Sequence, residues 1–221
     1  MISTARYQPP GRPPPPYGPG RPPGPRPPGP GGPGEGRGGG VPDWLQERLF
    51  ERRIIVVRGR LDHDGVTRLA AQIVALDADG NDPIEMHLDC PDADLGAALL
   101  LMDAVALAGS PVHAIAAGQV GGAALGILVA ADRRLALPHA RFRLAEPRAE
   151  LAGGKADQVV RGASQHLQML EALIVRLAEV TGRPRHTIED DLGEGHFLTA
   201  DQAVEYGLVE AVRRRGAEEG Q

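Results

Sequence analysis

Phe197-Leu198-Thr199-Ala200-Asp201-Gln202-Ala203-Val204-Glu205-Tyr206-Gly207-Leu208-Val209 is the stretch whose reading decides the fold. Thr199 with Gln202 three residues on is a capping box, the reciprocal pairing that starts a helix. It predicts a helix over Thr199–Glu205, and Leu208–Val212 then reads as a strand. Upstream lie the short unit Thr187–Leu192 and a loop. Before them, Ala156–Thr181 has helical periodicity, with Leu167, Leu170, Ile174 and Leu177 along one stripe and Gly182 as its stop. At 1.5 Å per residue that helix is about 39 Å long, more than the diameter of a domain of this size. Part of it is expected to project and to need a partner for its apolar stripe.

Working outward, the alternation of strand and helix runs back through the chain. Arg134–Leu137 and Arg141–Leu144 read as short strands around the Pro138-His139 turn. Val112–Ala117 reads as a strand, and the glycine-rich Gly118–Gly126 as the lead into an apolar helix. Asp94–Ala108 has an apolar helical face of Leu95, Leu99, Met102 and Val105. Ile84–Cys90 alternates Ile84, Met86, Leu88 and Cys90 with Glu85, His87 and Asp89, a strand with one polar face. Asp64–Leu76 is helical, with Val66, Leu69, Ile73 and Leu76 on one side, and Ile54–Val57 is a buried strand ending at Gly59. Asp43 is read as the N-cap of a first helix, Trp44–Glu51. The alternation argues for an α/β domain with mostly parallel pairing.

Composition sets off the rest. Residues 1–40 hold 14 of the 21 prolines and 12 of the 30 glycines, with five arginines against Glu35 alone. Such a stretch has little apolar surface to offset the entropy of ordering it, so 1–41 is expected to be a disordered, partly polyproline arm. The domain is placed at 42–214, with a disordered tail at 215–221. The arm is basic and the body acidic, since the whole chain carries −5. A solubilising tail is the default reading; groove binding or threading of an axial pore are the functional ones. Nucleic acid and membranes are not expected as partners. The longest apolar run, Val120–Ala131, is too short to span a bilayer, and no export signal is read at the start. One cysteine, Cys90, fits a reducing compartment, so a cytoplasmic location is expected. The seven histidines show no metal spacing, and no cofactor is expected.

From about Trp44 to Val212 these elements resemble the ClpP family of self-compartmentalising serine peptidases. The most specific stretches are Gly118-Gln119, Ala136-Leu137-Pro138-His139-Ala140-Arg141 and the Phe197–Val209 run. The resemblance implies a ClpP/crotonase-like spiral of ββα units, a handle helix (about 156–181) that joins two rings, and heptameric rings stacked face to face. It implies a proteolytic subunit of the ATP-dependent Clp machinery, acting in protein quality control.

The family's chemistry is missing from the expected positions. The nucleophilic serine follows the Gly-Gln pair by three residues, which here is Gly122. The general-base histidine stands just before the Gln-Pro pair, here Ala145 before Glu146-Pro147. The orienting aspartate lies two residues before the Phe-Leu/Met-Ser/Thr-Ala motif, here Gly195. Acyl transfer by this route needs an oxygen nucleophile, a base and a group that orients the base. None of the three residues offers a side-chain oxygen or nitrogen. Ala93 and Ala123 take the oxyanion-donor positions, and the family's Ser-Pro-Gly-Gly turn reads Cys90-Pro91-Asp92-Ala93. Alanine tolerates positive φ poorly, and Asp92 opposes negative charge. His139, Glu146 and His196 lie beside the site without a nucleophile, Ser164 and His166 do not share a helix face, and Cys90 is read as a buried apolar residue.

The expected function is therefore a non-catalytic ClpP-like subunit, a pseudoprotease acting in assembly, gating or regulation of ATP-dependent proteolysis. Its partners are itself or other ClpP subunits. Family members dock AAA+ unfoldases through aromatics on the strand where Glu85 and His87 stand here, which removes the anchors for that docking. Two alternatives stay open. One is a crotonase-like module holding an acyl-CoA or other anion on Gly121-Gly122 at a helix N-terminus; the other is an active serine-type peptidase subunit.

Overall fold

The structure, a computed structural model, describes residues 42–148 and 156–214. The expected arm at 1–41 and tail at 215–221 lie outside the described residues, as does 149–155.

Two strand–helix units build the first half. β1 (Ile54–Arg58) and β2 (Ile84–Cys90) pair in parallel, joined by α2 (His63–Asp79), which follows the short α1 (Asp43–Phe50). β2 buries Ile84, Met86, Leu88 and Cys90 almost completely and leaves Glu85, His87 and Asp89 half-buried, as the alternation predicts. α2 buries Val66, Leu69, Ile73 and Leu76 against the sheet. It begins before Asp64 because Asp62 is the cap, its side chain accepting the Gly65 N–H. α3 (Leu95–Leu107) is capped in the same way by Asp94.

β3 (Val112–Gly121) is the hub. Its first half pairs in parallel with β2 and with β4 (Arg133–Ala136); its last three residues pair with β5 (Arg141–Arg143). β5 in turn pairs antiparallel with β6 (Phe197–Thr199). The main sheet runs β1-β2-β3-β4-β7, with β7 at Ala211–Val212 and β5 and β6 branching off. The apolar helix α4 (Ala124–Ala130) is buried nearly throughout. α5 (Ala156–Thr181) has the predicted bounds and ends at Gly182, φ +69°. Its buried side chains, Leu173, Ile174 and Leu177, all lie in its second half. Val160 and Leu167 in the first half are 64% and 62% exposed, so the apolar stripe runs beyond what the domain covers. α6 (Arg185–Glu194) and α7 (Ala200–Tyr206) follow, and Thr199 caps α7 in the predicted box with Gln202.

Several boundaries differ from the sequence reading. Asp43 is the first residue of α1 and Pro42 its cap position, without a side-chain hydrogen bond; proline's fixed φ suits that place. β3 continues past Ala117 through Gly118-Gln119-Val120-Gly121, so the first part of the glycine-rich segment is strand, and the rest leads into the apolar α4 as read. α6 extends past both ends of Thr187–Leu192, and only the last two residues of Leu208–Val212 form a strand. β6 has no counterpart in the sequence reading, since three residues give no periodicity to detect. Among the described residues, no helix is long and apolar enough to cross a membrane.

Candidate functional site

The bend in β3 sets up the site. Opposite β2 the register steps from Leu88↔Ala116 to Cys90↔Val120, which places two extra residues on β3. Asp89 fills the bulge: its Oδ1 accepts the Gln119 N–H at 3.0 Å, and its Oδ2 lies 3.6 Å from Arg58 Nε. This contact explains the Gly-Gln pair. A Cβ on Gly118 would fall 2.1 Å from Asp89 Oδ1, so only glycine lets that carboxylate reach the next N–H.

Beyond the bulge, the ladders converge. Gly121 pairs with Arg143, Arg143 pairs with Phe197, and the Gly122 N–H donates to Arg143 O at 3.2 Å. The Leu144 N–H donates to His196 O and the Glu146 N–H to Leu192 O. This brings Gly122, Ala145 and Gly195 to the ends of β3 and β5 and the segment before β6. Gly122 takes φ +54°, and a Cβ there would lie 3.9 Å from Ala145 O. Ala145 is buried, and Gly195 ends α6 in the left-handed conformation, φ +79°.

The two expected oxyanion donors also fall here. Ala93 follows the β2 turn and is bridged to Leu61; the Leu61 N–H donates to Asp92 O and the Asp94 N–H to Leu61 O. Ala93 does not take a positive φ. Arg53 is the one non-glycine residue that does among those described. The anticipated strain at Ala93 is absent because the Leu61 bridge holds the segment extended. Its N–H is engaged instead: it donates to Asp92 Oδ1 at 3.0 Å. That same oxygen lies 2.7 Å from where a Cβ on Gly122 would sit. Ala123 is the cap residue of α4. Gly121 ends β3 and Gly122 lies in the turn that runs into the Ala123 cap, its carbonyl accepting the Leu125 N–H, so the pair immediately precedes the N-terminus of α4.

The neighbouring titratable groups form a separate cluster. His196 Nε2 is 2.7 Å from Glu194 Oε2, and its Nδ1 is 3.5 Å from Asp191 Oδ1. The Tyr206 hydroxyl donates to Asp191 Oδ2 at 2.5 Å. Burial, followed by the Asp191 contact, raises the Tyr206 pKa. The Arg183 guanidinium stacks 3.9 Å over the Tyr206 ring. Nothing local in the sequence links Asp191 with Tyr206, fifteen positions on; the fold makes that pair. His139 sits at the turn between β4 and β5. Cys90 is fully buried, and burial pushes its thiol up to about 11. Ser164 donates to Val160 O on its own helix. On the polar face of β2, Glu85 contacts His87 and its other oxygen lies 3.6 Å from Arg213 Nη1.

A groove of about 310 Å³ lies between α5 and α6, lined among others by Leu167, Leu170, Ile174 and Glu146. Arg185 spans its rim, paired with Glu171 and with Glu189 at 2.8 Å.

Comparison with known proteins bears on this geometry. The model of the Clp protease family matches residues 40–216. The ATP-dependent Clp protease proteolytic subunit 2 of Mycolicibacterium paratuberculosis is 31% identical over 180 residues, covering 80% of this chain and 90% of that protein. The proteolytic subunit 1 of Mycobacterium leprae is 30% identical over 189 residues, covering 84% and 94%. That of Streptomyces avermitilis is 32% identical over 174 residues, covering 77% and 79%.

Proposed function

Because the chain belongs to the Clp protease family, we propose that it is a ClpP-type proteolytic subunit that assembles but does not itself cleave peptides. One observation carries this reading: Gly122 lies beside Ala145, the Leu144–His196 hydrogen bond brings the chain next to Gly195 alongside, and none of the three has a side-chain oxygen or nitrogen. A serine peptidase needs all three functions within hydrogen-bond reach. The nearby hydroxyl and thiol groups do not replace them. Thr199 caps α7, Ser164 bonds its own helix, and Cys90 is buried and held in its thiol form.

Assembly rests on α5. Its first half carries exposed Val160 and Leu167, a stripe suited to pairing with the handle of another subunit. The role is to set ring composition, gate access or modify substrate entrance. On β2, Glu85 and His87 engage each other and Arg213 where family members present aromatics, so unfoldase docking falls to other subunits of a mixed ring. No observation favours the acyl-CoA alternative, since the Gly122 and Ala93 N–H groups already have acceptors in Arg143 O and Asp92 Oδ1.

The test is incubation of the purified chain with a small fluorogenic peptide. No turnover is expected; robust turnover blocked by a serine-directed acylating agent refutes the inactivity. Co-purification with active ClpP subunits from the same cell, followed by an intact-mass measurement, tests the mixed ring. Recovery of homo-oligomers or monomers alone refutes that part.

A further inference from the structure

Loss of a triad ordinarily leaves the oxyanion hole behind, together with the substrate binding and residual rate that such a hole supports. At this site the hole is not left open. Asp92 is fixed through its backbone from two sides: its carbonyl accepts the Leu61 N–H at 3.2 Å and the Cys90 Sγ at 3.1 Å. With the main chain held, the carboxylate folds back onto the next residue, and Oδ1 accepts the Ala93 N–H. The same Oδ1 comes within 2.7 Å of the Cβ position of Gly122, closer than a real Cβ contact allows. Apart from Asp92 itself, the protein atom nearest that position is also an acceptor, Ala145 O at 3.9 Å. Two acceptor oxygens, one of them charged, therefore lie beside the point from which a nucleophile would reach a carbonyl.

We propose that Asp92 is an internal blocking carboxylate, which takes the place of the reaction oxyanion on the Ala93 N–H and keeps the carbonyl of a peptide or other acyl compound out of the site. The proposal rests on the inactive-subunit reading and extends it. The site is closed by an added group as well as by deletion, so the subunit does not compete with catalytic neighbours for substrate. Two physical effects act together. The donor that would stabilise developing negative charge is already satisfied, and a fixed like charge stands where that charge would develop. Glycine at 122 is then required twice, by φ +54° and by the proximity of Asp92.

The experiment rebuilds the triad in the full chain as Gly122→Ser, Ala145→His and Gly195→Asp, with and without Asp92→Gly. Each version is treated with a fluorophosphonate, and the rate of adduct formation at position 122 is read by mass. The rate with Asp92→Gly is expected to be about a hundredfold higher, the lower end of what one oxyanion donor contributes. Equal rates, two zero rates included, overturn the proposal. A second measurement does not depend on the rebuilt chemistry. Gly122→Ser alone is expected to lower the melting temperature less in the Asp92→Gly background than with Asp92 present. The φ strain is common to both backgrounds and only the Asp92 contact differs, so an equal loss overturns the proposed contact. The two readings fail separately: peptide turnover by the unmodified chain refutes inactivity, whereas these comparisons refute the blocking role alone.

Discussion

Arg53→Ala should unfold this domain more readily than almost any other surface substitution. Arg53 sits in the turn between α1 and β1 at φ +58°, a conformation that disfavours a residue bearing a Cβ. Its guanidinium accounts for the position. Nε donates to Asp82 O at 2.9 Å, Nη1 to Leu76 O at 2.8 Å, and Nη2 to Gly80 O at 3.0 Å and Ser110 Oγ at 3.1 Å. Leu76 is in the last turn of α2, which has no basic residue there, so Arg53 supplies from outside the cation that the helix end lacks. Hydrogen bonds to a charged group contribute about 1.5–3 kcal/mol each and are not additive, so truncation should cost about 3–4 kcal/mol. With a urea slope of about 2 kcal/mol/M, the unfolding midpoint falls by about 1.5–2 M at fixed protein concentration. Arg53→Gly should recover up to about 1 kcal/mol of that loss, because glycine takes φ +58° without a Cβ penalty. Arg53→Lys should recover little, since an ammonium cannot reach all four acceptors as a planar fork does. A midpoint for Arg53→Ala close to that of the unmodified protein, or full rescue by lysine, would refute the reasoning.

Three further outcomes can be checked. Gly118→Ala should displace Asp89 from the Gln119 N–H and cost about 1–3 kcal/mol in the same urea assay, with most of the loss absent in an Asp89→Ala background. The Asp77 carboxylate is held below its ordinary value, first by a hydrogen bond from Gly109 and then by those from Ser110. Its folded pKa is the lower one, so the stabilisation is present above the unfolded-state pKa and is lost as pH falls through the folded one. Asp77→Asn should flatten the fall in melting temperature between about pH 5 and pH 3. Leu167→Glu should reduce the mass of the assembly seen by mass photometry while leaving domain stability within about 0.5 kcal/mol, because the side chain is exposed.

Much of the fold was legible because short-range periodic signals survive in one dimension. The apolar faces of α2 and β2, the full extent of α5 and the capping box of α7 are local patterns, set by side chains a few residues apart. Boundaries decided by remote contacts were not legible. The strand Val112–Ala117 reads as ending before Gly118, yet Asp89 and the β5 ladder carry it on through Gly121. β6 exists only because β5 offers it an edge.

The site divides along the same line. The absence of side-chain oxygen or nitrogen at Gly122, Ala145 and Gly195 is a property of the letters, and any fold that brings those positions together inherits it. The sequence also placed Asp92 in the turn beside Ala93, with a charge opposed to an oxyanion. What tertiary structure alone decided is where that carboxylate goes. Ala93 keeps an ordinary φ because Leu61 bridges to it, thirty-two positions away in the chain. With the backbone so held, Oδ1 meets the Ala93 N–H and the Gly122 Cβ position together. Those contacts join the end of β2 to the end of β3, and their distances depend on a register shift that no local pattern in the sequence encodes.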